Sequence, residues 1–136
     1  MATHWQAPAH AQPVHGRGVV TTDPAGQYAE LIEVAANSSL AVGSLTFSDS
    51  TQYNPAAAVT LQFETAAPGH AGQPGGAMSQ FYDLTVMLGS SQHLAFPMPL
   101  VLTGAEGIAW VLRMALVETI NVQYCETNVL AVGCVF

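Results

Sequence analysis

Residues 58–64 read Ala-Val-Thr-Leu-Gln-Phe-Glu. Val59, Leu61 and Phe63 fall on one side of an extended chain, and Thr60, Gln62 and Glu64 on the other. Successive side chains of a strand point to opposite faces, so this alternation marks a strand with one buried and one wet face. Sheets of that kind are antiparallel.

The same period recurs on both sides. In 40–48, Val42, Leu45 and Phe47 are apolar, with Ser44, Thr46 and Ser48 between the later ones; Gly43 breaks the period and suggests a bulge. In 81–88, Leu84, Val86 and Leu88 point inward. In 119–125, Ile120, Val122 and Tyr124 share one face, and Asn121 and Gln123 the other. Trp110, Leu112 and Met114 form an apolar strand face, and Arg113 has the opposite parity. Turn-rich segments separate these runs: 37–39, 49–55, the Gly/Pro-rich 66–77, 90–92 and 103–107. About eight short strands at this spacing predict an all-β antiparallel sandwich or jelly roll. Pro97 and Pro99 cannot donate to a ladder, so they belong at a strand edge or where the chain crosses between sheets.

Residues 28–36 are ambiguous. Tyr28, Leu31, Ile32 and Ala35 fit a helical stripe behind an Asp23-Pro24 start, whereas Tyr28, Ile32 and Val34 fit a strand interrupted by Glu30. The β-rich sequence that follows favours the strand. Residues 1–27 read as an extended arm rich in Pro, Gly and His, too poor in apolar surface to fold alone, with 28–136 as one sandwich domain. An ordered arm of that composition is expected to be held by a neighbouring chain.

Composition narrows the function. Only 8% of the 136 residues are charged, against about 25% in an ordinary soluble domain. There is no lysine; the two cations are Arg17 and Arg113, and the net charge is −7. Nucleic-acid binding requires clustered Lys and Arg, and an anionic membrane disfavours this balance, so neither partner is expected. A surface of Ala, Gly, Ser, Thr, Gln and Asn is weakly hydrated and suits burial against protein. Met1 to His15 has no apolar signal core, and no run approaches 18 apolar residues, so synthesis in a cytosol without a membrane span is expected.

No constellation of catalytic residues stands out. His4, His10, His15, His70 and His93 lack metal-site spacing, and Cys125 and Cys134 match neither a redox nor a zinc motif. The nine carboxylates are scattered, and no GxSxG, phosphate loop or HExxH is present. No enzyme activity, metal or cofactor is expected. Interface candidates are Trp5, an aromatic anchor in a polar arm, with His10, His15, Arg17, Val19 and Val20 beside it. Pro97, Met98 and Pro99 join them from the proline run, together with Arg113. Arg113 is read as pairing with Glu118, Glu126 or a partner's carboxylate.

The AVGSLTF strand at 41–47, the FPMPLVLTGAEGI run at 96–108 and the INVQYCE strand at 120–126 resemble the small jelly-roll cementing, or decoration, proteins of tailed-bacteriophage heads. The resemblance covers roughly 28–128. It implies a virion protein on the outer capsid surface that contacts the major capsid protein, bridges its subunits and self-associates, a homodimer being favoured over a trimer. A phage tail or fibre component and a carbohydrate-binding jelly roll are the alternatives; the latter would use Tyr28, Tyr53, Tyr82 and Tyr124 in an aromatic groove.

Overall fold

Alternation of the kind seen at 58–64 runs through the whole architecture. A computed structural model of the chain describes residues 5–21, 28–49, 58–67, 77–87, 91–104, 107–120 and 126–136. Eight strands follow one another: β1 (Gln12–Thr21), β2 (Tyr28–Val34), β3 (Ser39–Asp49), β4 (Ala58–Ala66), β5 (Ala77–Met87), β6 (Ser91–Thr103), β7 (Trp110–Ile120) and β8 (Glu126–Val135). They form two four-stranded sheets, β1-β8-β3-β6 (sheet I) and β2-β7-β4-β5 (sheet II).

All pairings are antiparallel. β1 pairs β8, β2 pairs β7, β3 pairs β6 and β4 pairs β5. Those are the nested pairs of one long hairpin, and β3–β8 and β4–β7 are the contacts made when that hairpin rolls up. The result is an eight-stranded jelly roll.

The core lies between the sheets. Leu40, Val42, Leu45 and Phe47 of β3 face Leu61 and Phe63 of β4 and Trp110, Leu112, Met114 and Leu116 of β7, all essentially inaccessible. A chain of aromatic contacts crosses the sandwich: Phe47 to Phe63, Phe63 to Tyr82 and Tyr82 to Phe96, with centroids 6.3, 6.4 and 6.5 Å apart. It ties β3 and β6 of sheet I to β4 and β5 of sheet II, and each such pair adds about 0.5–1.5 kcal/mol beyond area burial. Trp110 is fully buried, and its indole N–H donates to the Ser38 carbonyl at 3.2 Å.

The opposite side of the roll closes by backbone contact. Gly16 and Gly18 are buried on β1, and a Cβ on Gly16 would collide with the Leu31 carbonyl of β2. The β2 register shifts between Glu30 and Ile32, so Leu31 is an extra residue and both Leu31 and Ile32 are buried. That bulge produces the helix-like spacing of Tyr28, Leu31 and Ile32 in what is a strand.

Two further expectations, a bulge at Gly43 and prolines at an edge, hold in sheet I. Gly43 is a bulge: the β3 register shifts between Val42 and Ser44 against both neighbours. β6 is an edge strand, and Val42 pairs Leu100 while Ser44 pairs Ala95, so residues 96, 97, 98 and 99 stand opposite Gly43 alone. Pro97 and Pro99 therefore sit at an edge, in a bulge that blunts it against strand addition.

The expected arm is corrected over 12–21. That stretch is β1, paired along its length with β8 of its own chain. It was not legible as a strand because its inward positions include Gly16 and Gly18, small enough for β2 to approach and too small to show a hydrophobic period. The expected strand at 119–125 reaches only Ile120 as the end of β7; residues 121–125, with Cys125, lie outside the described residues, as does Leu88.

Candidate protein-interface surface

Each sheet has one face in the core and one turned outward, and the outward faces differ. On sheet II, the outward row at its centre is Glu30 on β2, Arg113 on β7 and Glu64 on β4, placed side by side by register. The Arg113 Nη2 and Nε donate to Glu64 Oε1 at 2.8 and 3.1 Å. Both side chains are buried, Arg113 at 1% exposure. The guanidinium carbon lies 3.9 Å from the centroid of the Tyr28 ring, a cation–π contact. The Tyr28 hydroxyl donates to Gln62 Oε1 at 2.9 Å.

Burial pushes the Tyr28 phenol up to about 12, reinforced by hydrogen bonding and repulsion from the neighbouring Glu64 carboxylate, while Arg113 pulls the other way. Val111, Ala115 and Ala66 flank the ion pair and are also buried. The Arg113 reading is corrected: its partner is Glu64, 49 residues away in sequence and adjacent only through the β4–β7 register. Glu64, expected on a wet face, is buried for the same reason. Arg113 is therefore withdrawn from any contact with another chain.

Sheet I presents a different outward face. Its rows run across β1, β8, β3 and β6. His15, Val132, Ser44 and Ala95 form one, and Arg17, Leu130, Thr46 and His93 the next; Val19, Asn128, Ser48 and Ser91 form a third. Val19 and Val132 are 46% and 40% exposed, and Val101, outward near the end of β6, is 47% exposed. Met98, in the proline bulge, is 54% exposed. Sheet II has no exposed large hydrophobic side chain on its outward face among the described residues.

Arg17 is exposed midway along the edge strand β1, in a shallow depression of about 380 Å³ lined by Arg17, Thr46, Ser48, Asn128, Val129 and Leu130. Among the described residues, no carboxylate lines it. The Thr46 hydroxyl shares a 2.7 Å hydrogen bond with the His93 Nδ1. Of the carboxylates whose side chains are described, Glu30, Glu33, Glu64 and Asp83 belong to the outward side of sheet II, and Glu126 to the far end of sheet I.

The interface candidates divide accordingly. His15, Arg17 and Val19 come together on sheet I, joined by Val132, Leu130 and Ala95, which sequence reading missed. β8 is apolar on both faces at 129–132, so its alternation is weak. Val20 is a core residue at 4% exposure, because its parity on β1 is inward. Pro97, Met98 and Pro99 lie at the edge of sheet I; Pro97 and Met98 are exposed and Pro99 half-buried. His10 is exposed in the turn closed by the Ala11 N–H to Pro8 carbonyl bond of 3.0 Å. Trp5 is half-buried and packs on Phe136 of its own chain, centroids 6.0 Å apart. Cys134 is a free thiol on β8, and His4 and His70 lie outside the described residues. Among the described residues, no three His, Cys, Asp or Glu side chains gather in a way that could hold a metal ion.

No protein-family model matches the chain, and no curated protein sequence does. Among solved structures, the chain is similar to a chain of the cyanophage Pam1 capsid asymmetric unit, at 13% identity and a TM-score of 0.44, covering 97% of this chain and 93% of that one. It is similar to a chain of the infectious bursal disease virus Gx strain, at 13% identity and a TM-score of 0.44, over 98% of its own length. The chain spans about a third, 36%, of the length of that protein. A Gt-strain chain of the same virus gives 12% identity and a TM-score of 0.35. Likeness at this level adds nothing to what the strand order already says.

Proposed function

We propose that this chain is a non-enzymatic structural protein of a virion, which binds the outer surface of a phage capsid and stabilises the lattice by bridging major capsid protein subunits. The observation that carries the reading is the outward face of sheet I. It combines exposed Val19, Val101 and Val132 with small polar residues and a single arginine. Exposed apolar side chains set among small neutral ones suit burial against another macromolecule. Four strands of about ten residues cover roughly 600 Å² at a strand spacing near 4.8 Å and a rise near 3.3 Å, the scale of one side of a standard protein interface. The scarcity of charge elsewhere, and the sequence resemblance to cementing proteins, support the same reading.

Weak contacts of this size act together when repeated across a lattice. Heads stripped of the protein are expected to rebind it on co-sedimentation and to regain resistance to heat. Recovery of the chain only in the supernatant contradicts the proposal. The sugar-binding alternative has less support, because Tyr28 covers Arg113 and Tyr82 packs between Phe63 and Phe96. Tyr53 and Tyr124 lie outside the described residues.

A further inference from the structure

We infer that the depression around Arg17 is a receptor for a carboxylate side chain, presented between apolar residues on the surface of a different protein. The inference rests on the reading of sheet I as a contact face and names the chemistry that face would recognise.

Arg17 is the one exposed arginine of the chain, since Arg113 is buried against Glu64. No hydrogen bond or ion pair engages Arg17 among the described residues. Around it stand the hydroxyl of Ser48 and the amide of Asn128, neutral groups able to donate to an anion, and the Thr46 hydroxyl, which is already hydrogen-bonded to His93. Val19, Leu130 and Val132 lie in the same or neighbouring rows. When a partner covers this face, the guanidinium loses water, and a desolvated arginine without a counter-charge is strongly unfavourable. The partner must therefore bring the carboxylate. An arginine fork accepts it in two parallel bonds, which fixes orientation as well as energy.

A second copy of this chain fits less well. Its exposed acids Glu30, Glu33 and Asp83 lie on the outward face of sheet II, where no exposed large apolar side chain among the described residues is available to meet Val19 and Val132. Its own sheet I offers only Glu126 among the described carboxylates, at the end of the face. The occupant is thus a protein surface with an Asp or Glu set among apolar groups.

The test titrates the full chain, by amide NMR, with the capped peptide Ser-Val-Glu-Val-Ser and with its Lys and Gln counterparts. The Glu peptide is expected to shift the amides of Arg17, Asn128, Leu130 and Val132 and to bind more tightly than the other two. Arg17→Gln should weaken it about five-fold, as for an exposed ion pair, and raised salt should do likewise. Equal binding of the Glu and Lys peptides, shifts centred on sheet II, or no loss in R17Q would overturn the inference. Sedimentation equilibrium adds a second arm: a self-association abolished by Arg17→Glu would assign the face to a second copy and overturn the choice of partner. Co-sedimentation with stripped heads separates the two proposals. Loss of head binding in R17E supports both, whereas failure of the wild type to bind heads, with the peptide result intact, removes the capsid reading alone.

Discussion

The two arginines of the chain occupy the outward faces of the two sheets and meet opposite fates. Arg113 is sealed beneath Tyr28 and paired with Glu64, while Arg17 stands exposed with no carboxylate among the described residues of its depression. The difference follows from the neighbours that register supplies. β7 is an interior strand of sheet II, and β4 places Glu64 directly opposite Arg113. β1 is an edge of sheet I, and β8 places Leu130 opposite Arg17. One charge is used up in holding the fold, and the other remains available for contact.

The largest effect should come from breaking the sealed side. Arg113→Ala leaves Glu64 buried without its counter-charge and is expected to cost about 3–5 kcal/mol in urea unfolding. Replacing both partners by methionine should cost far less, because a well-packed apolar pair removes the desolvation penalty together with the attraction. A double variant as unstable as R113A would show that the ion pair does more than neutralise itself.

Gly16→Ala comes next. Its Cβ would run into the Leu31 carbonyl, so β1 must move off the β2 bulge, at an expected cost of about 1–3 kcal/mol measured by the same unfolding curves. An unchanged midpoint would mean that the β1–β2 closure contributes little.

Tyr28 sharpens the comparison by pH. Its phenol ionises near 12 in the folded chain and near 10 when unfolded. Between those values the unfolded state releases a proton that the folded state retains. Its contribution to stability is therefore complete below about pH 10 and is lost as the pH rises towards about 12. Tyr28→Phe should remove this part of the alkaline loss, seen as a shallower fall in unfolding free energy between pH 10 and 12 than in the wild type. Parallel profiles would contradict it.

The smallest effect is expected on the open side. Arg17→Glu should change stability by no more than about 0.5 kcal/mol, as for an exposed residue free of special contacts. A substantially lower thermal midpoint would show that Arg17 supports the fold.

Sequence alone revealed those parts of the fold in which buried residues are large. Leu61 and Phe63, and Trp110 with Leu112 and Met114, announce their strands by period two, and Gly43 and Pro97 announce a bulge and an edge. β1 was hidden because Gly16 and Gly18 take two of its inward positions, and β8 because Val129 and Ala131 point inward while Leu130 and Val132 point outward. The proposed contact face was half legible. His15, Arg17 and Val19 were named with Trp5, His10 and Val20 as one stretch of candidates, but the rows joining them to Val132 and Thr46 exist only through pairing with β8 and β3. The Arg113–Glu64 pair was invisible for the same reason: cross-strand register over 49 residues leaves no local mark.

The claim that sheet I, not sheet II, carries the contact is tested most directly by site-specific labelling on assembled particles. Single cysteines would be placed at Val132→Cys and Glu33→Cys in a chain whose native cysteines are serine, and maleimide labelling compared between free protein and protein bound to heads. The account predicts that position 132 becomes protected on binding while position 33 labels as it does in the free chain. Protection at 33 with continued labelling at 132 would contradict it.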